Sequence, residues 1–128
     1  MDDRPEFAKR ELFPSAEEVK LVDFQNIADF VTIGEEDYVC VMTRGHSFDT
    51  VIQAQVLKNK PCYVGVIGSK KKAAGVRQTL KTEYGLTDEE LDIVTTPIGI
   101  DIDAETPAEI AVSIAGQMIQ VRARMSKA

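Results

Sequence analysis

Two uninterrupted apolar runs, YVCVM at residues 38–42 and CYVGVI at residues 62–67, constrain this chain more than any other feature. Runs of this length suit strands buried on both faces of a parallel sheet. Between them, Phe48, Val51, Ile52, Gln55 and Val56 recur at helical spacing over residues 48–58, and Asn59-Lys60-Pro61 then breaks the helix. Strand, helix, strand is a βαβ unit with a right-handed crossover. The pattern commits the chain to the α/β class, as a three-layer sandwich around a mostly parallel sheet.

The rest of the sequence extends that alternation. Residues 71–84 read as a helix closed by Gly85, a residue suited to the left-handed cap. Thr87 and Glu90 form a capping box opening a short helix through Leu91, and residues 93–95 (IVT) read as a third strand ending before Pro97. Thr106, Pro107 and Glu109 combine an N-cap, a first-turn proline and a capping glutamate. They launch an amphipathic helix whose apolar face is Ile110, Ile114, Met118, Val121 and Met125. Residues 19–22 (VKLV) fit a short strand, while Ser15 and Glu18 before them fit a helix start. With 128 residues and no repeat, linker or low-complexity stretch, one domain over 1–128 is expected.

Charge and composition exclude several functions. A net charge of -6 argues against sequence-independent nucleic-acid binding, which depends on neutralising phosphates. The apolar runs are far shorter than the roughly 20 residues of a membrane span. The charged N-terminus does not read as a secretory leader, so a cytoplasmic protein is expected. Cys40 and Cys62 sit inside the apolar runs without a CxxC partner, which suggests buried, reduced thiols rather than a disulfide or zinc site.

In open α/β sheets, ligands lie beyond the carboxyl ends of the strands. Three segments fall there: Thr43-Arg44-Gly45-His46, Gly68-Ser69-Lys70-Lys71-Lys72 and Pro97-Ile98-Gly99. Gly68 and Ser69 before a lysine-rich helix start fit a phosphate cradle, and they equally fit a tight turn with a solvated lysine face. His46, the only histidine, is either a base beside Asp49 or a residue that caps or lines the crevice. No nucleophile–base set and no metal-ligand cluster appears, and Asp101, Asp103 and Glu105 lack calcium-loop spacing, so no catalytic or metal-binding residue is assigned. The opening Met1-Asp2-Asp3 resembles the acidic turn after the second strand of a dinucleotide-binding fold, yet no G-x-G loop occurs anywhere. The chain therefore reads as the back part of such a domain, its front missing or supplied elsewhere.

These segments together resemble the Rossmann-like C-terminal domain of the XdhC/CoxI family, the xanthine dehydrogenase accessory proteins. The matching blocks are DDRPEFAKRELFPSAEEV, VCVMTRGHSFD, YVGVIGSKKK, TTPIGIDI and TPAEIAVSIAGQMI, in order along nearly the whole chain. The resemblance implies a chaperone-like role: binding or protecting the molybdenum cofactor, assisting its sulfuration and delivering it to xanthine dehydrogenase-type apoenzymes. It also implies a cofactor-binding set of Asp2, Asp3, Thr43, Arg44, Gly45, His46, Gly68, Ser69, Pro97 and Gly99. The family's Gly-rich first turn and its separate N-terminal domain with a cysteine motif have no counterpart here.

An accessory binding module, rather than a catalyst, is the leading expectation. The rivals are a fragment of an NAD(P)-binding oxidoreductase, disfavoured by the absent glycine loop, and an interaction-only remnant. Expected partners are a xanthine dehydrogenase-type apoenzyme or a separate XdhC N-terminal part. With its neighbouring strand missing, the run at 38–42 becomes an apolar edge without charge or proline to blunt it, so a homodimer is expected.

Overall fold

The computed structural model describes residues 1–44 and 46–127, without the side chains of His46 and Ser47. Its sheet contains β1 (Tyr38–Val41), β2 (Tyr63–Val66) and β3 (Val94–Thr95), in that order and all parallel. Tyr38 pairs with Tyr63 and Val41 with Val66, while Val64 pairs with Val94. The helices are α1 (His46–Val56), α2 (Lys70–Thr82), α3 (Asp88–Leu91) and α4 (Pro107–Lys127).

Strand periodicity divides the side chains between two faces. Val41, Val64 and Val66 turn to one face, where they meet Ile52 and Val56 of α1 and Leu80 of α2 in the buried core. Tyr63 and Gly65 turn to the other, toward α4. There the Tyr63 hydroxyl donates to Gln117 Oε1 at 2.6 Å, and a Cβ at Gly65 would collide with Ile98 and that hydroxyl. The result is the expected three-layer α/β sandwich.

The helix starts follow their sequence signals. Thr87 and Glu90 make the full capping box of α3. Thr106 Oγ1 accepts from Glu109 N at 3.1 Å, and Glu109 Oε1 accepts from Thr106 N at 3.1 Å. Gly85 takes the left-handed conformation beyond α2 (φ 69°). Of the expected apolar face of α4, Ile114 is buried, whereas Met125 is 48% exposed.

Three expectations are corrected. Only Val41 in β1 is buried and Cys40 is exposed, because β1 lies at the sheet edge. The cysteines are therefore not both buried: Cys62 is half-buried, its thiol donating to the Asp37 carbonyl at 3.2 Å. Residues 19–22 form neither a regular strand nor a helix. Leu21 makes an isolated parallel bridge with Asp2, through Asp2 N to Lys20 O at 3.1 Å and Val22 N to Asp2 O at 2.9 Å.

Candidate functional site

Helix α2 meets the sheet unevenly. Leu80 near its carboxyl end is 1% exposed, Ala73 and Val76 are half-buried, and Lys70 to Lys72 at its start are exposed. The amino-terminal half stands off from α1 and leaves a cavity of about 300 Å³ at the carboxyl end of β2. Val66, Val76, Leu80, Leu91 and Val94 supply its apolar surface. α2 is held in place lower down by Arg77, whose guanidinium reaches Asp88 at 3.1 Å and Asp92 at 2.9 Å.

The polar groups of this cleft are few and specific. Ser69 caps α2, its Oγ accepting from Lys72 N at 3.3 Å. Gly68 before it has φ 140°, in the region that favours glycine, with open space where a Cβ would point. Lys72 lines the cleft, and no carboxylate pairs with it among the described residues. From α1 come Asp49, 7% exposed, which accepts from the Thr43 hydroxyl, and Gln53, 3% exposed. Gln53 lines the cavity, and among the described residues no buried side-chain polar atom is left without a partner. Gln55, on the same helix, bonds Ile27 N at 2.8 Å, Phe24 O at 2.6 Å and Val51 O at 3.0 Å.

The residues singled out in the sequence divide among three places. Thr43, Gly68 and Ser69 line the cleft. Asp2, Asp3 and Arg44 line a second groove of about 190 Å³, which Thr43 also borders and which runs between the Asp2 segment and β1. Asp2 is committed locally: Arg4 N, Nε and Nη2 each donate to its carboxylate at 3.0 Å, holding it below the usual carboxylate range. Pro97 follows a cis peptide and lines neither opening. Gly99 packs on α4, its N–H donating to Gln117 Oε1 at 2.8 Å and its carbonyl accepting from Gln117 Nε2 at 3.1 Å. Gly45 and the His46 side chain lie outside the described residues.

Sequence reasoning passed over Gln53 and treated Asp49 only as a partner for His46. Their signal was there: two polar residues one helical turn apart, with Val56 continuing the same row. Such a polar pair on a buried row marks an interruption of the core. Among the described residues no cluster of metal-ligating side chains occurs, and no helix is long and apolar enough to cross a membrane.

A parallel sheet with helices on both faces and a cleft at its carboxyl edge defines a Rossmann-type α/β domain. The chain belongs to the XdhC family: the model of the XdhC Rossmann domain matches residues 1–118. It is 26% identical over 113 residues to the uncharacterized protein YqeB of Escherichia coli K12, covering 88% of this chain and 20% of that protein. It is 26% identical over 125 residues to a probable xanthine dehydrogenase subunit of Bacillus subtilis 168, covering 98% and 36% respectively. The crystal structure of a xanthine dehydrogenase from Bacillus halodurans superposes with a TM-score of 0.80 at 33% identity, covering 96% of this chain and 34% of that one. The chain thus spans about a third or less of the length of these relatives.

Proposed function

We propose that this chain is an accessory binding module for enzymes of the xanthine dehydrogenase type, with the molybdenum cofactor as its cargo. The family membership and the xanthine dehydrogenase-related relatives support the system. The cleft beside α2 is the observation that carries the binding role, since it joins an open glycine turn to an apolar floor bordered by Asp49, Gln53 and Lys72.

The residues present fit such a cargo. Phosphate suits the start of α2, where backbone N–H groups, the helix dipole and Lys72 converge and Gly68 leaves room for approach. Thr43, Asp49 and Gln53 suit the polar edge of a ring, and the apolar floor suits its faces. Bound there, the cofactor would carry the metal chemistry of the client enzyme; the chain's own residues hold it and exclude water. The partner in this reading is a xanthine dehydrogenase-type apoenzyme or a separate XdhC N-terminal part, met in the cytoplasm. Binding of NAD(H) is weak in this reading, because no glycine-rich loop supplies a pyrophosphate cradle.

A homodimer is part of the proposal. Val41 O accepts from Ile67 N on the β2 side, so the backbone of Cys40 is directed to the outer edge by the alternation of a parallel ladder. That edge, with exposed Cys40 and Met42, suits pairing with a second copy.

The test is activation of a cofactor-free xanthine dehydrogenase-type enzyme by released cofactor, with and without this chain. Wild type should raise the recovered activity, and Gly68→Val should abolish the gain by blocking the approach to α2. Equal recovery with wild type, Gly68→Val or no chain would contradict the proposal.

A further inference from the structure

We propose that the solvent face of α4 docks one helix of a partner polypeptide, laid antiparallel along it. The partner helix is amphipathic, turns leucine-type side chains toward α4, and carries acid in its first turn and base in its last. This surface is separate from the cleft and from the β1 edge, and its assignment stands apart from the proposed cargo.

A helix packed on a sheet ordinarily turns its apolar stripe inward and its polar residues to water. α4 follows that rule only in part. Ile114 is buried, but so is Ser113, and the Gln117 amide bonds Tyr63 and Gly99 on the inner side. On the opposite side Ala108, Val112, Ala115, Ile119 and Ala123 recur at intervals of three and four, and all five are exposed. Val112 is 64% exposed and Ile119 54%, two turns apart with alanine between them, which makes a continuous apolar strip.

The charges around the strip set the direction of its occupant. Asp101, Asp103, Glu105 and Glu109 gather at the amino end of α4, and Arg122, Arg124 and Lys127 at its carboxyl end. Helices favour acid in the first turn and base in the last, in keeping with their dipole. A helix of that kind meets opposite charge at both ends of α4 only when it runs antiparallel. The alanines allow close approach and leave hollows for large apolar side chains. A second copy of α4 fits less well, because alanine would face alanine over most of the strip. Val112 and Ile119 alone cannot supply the roughly 800 Å² that each partner buries in a standard stable interface. In the relatives matched above, about two thirds or more of the length lies outside the matched region, ample chain for such a helix.

Fluorescence anisotropy on the full chain tests this with a labelled synthetic peptide of about 20 residues, long enough to span α4 as a helix. The peptide has leucine at alternating intervals of three and four, glutamate in its first turn and lysine in its last. A control peptide has the two charges exchanged. The first should bind at least ~10-fold more tightly than the control, with the gap narrowing at high salt, because the control opposes like charges at both ends. Ile119→Lys, on an exposed side chain, should abolish binding without lowering the melting temperature, whereas Ile119→Leu should retain it. Equal binding of the two peptides, unchanged binding in Ile119→Lys, or no binding at millimolar concentration would overturn the inference. A Cys40→Lys variant that stayed dimeric by light scattering and became monomeric on adding Ile119→Lys would give this face to a second copy and overturn it as well.

Discussion

The cleft and the groove that meet at Thr43 differ in the groups they present. The cleft between α1 and α2 exposes a side-chain amide, a carboxylate and a lysine over an apolar floor. The groove between the Asp2 segment and β1 is lined by Ile33, Val39, Val41 and Ile52, with main chain at the sheet edge and Asp2 already closed on Arg4. Side-chain groups with fixed geometry around a cavity call for a small molecule of matching edge. Unpaired main chain along a strand calls for another strand. The same contrast recurs within α1. Gln55 bonds the Phe24–Asp29 segment and is structural, whereas Gln53 meets the cavity.

Breaking the cleft should have the largest effect. Leu80→Ala removes the one fully buried anchor of α2, and such truncations cost about 2–5 kcal/mol. A lowered denaturation midpoint together with weakened ligand binding is expected, while dimerisation, which rests on β1, should survive at temperatures where the chain is folded. Cys40→Lys sharpens the other side: it blunts the exposed edge without touching the core, so light scattering should read a monomer mass while the cleft keeps its affinity. Gly68→Val forces a branched residue into a conformation that favours glycine, at a cost of roughly 1–3 kcal/mol, and calorimetry should also show lost phosphate affinity.

The smallest effect concerns how α2 is held. Lys81 and Arg77 keep the Asp88 carboxyl below its ordinary value of 3.8. A depressed carboxyl pKa stabilises the fold above that value, and the contribution is lost as pH falls through the still lower folded pKa. Asp88→Asn should therefore reduce stability slightly at neutral pH and flatten the acid limb of a melting-temperature profile. An unchanged acid limb would show that this exposed pair does not anchor α2.

Much of the fold was legible because it is local. The apolar runs, the helical spacing of residues 48–58 and the capping boxes at Thr87 and Thr106 each carry their own signal, and each appears where expected. The exposure of β1 was not legible, because its place at the edge of the sheet is set by pairing between segments far apart in the chain. The crevice was half legible. Glycine and serine mark the start of α2, but nothing local reveals that Gln117 would occupy Gly99, or that α2 would stand off and leave Gln53 facing a cavity.

Hydrogen exchange on the full chain, with and without the released molybdenum cofactor, tests the central assignment most directly. The account predicts slowed exchange at Ser69 to Ala73 and around Gln53 in α1, with residues 39–42 unchanged. Protection confined to residues 39–42 and the Asp2 segment, with α2 unaffected, would place the ligand in the edge groove and contradict it.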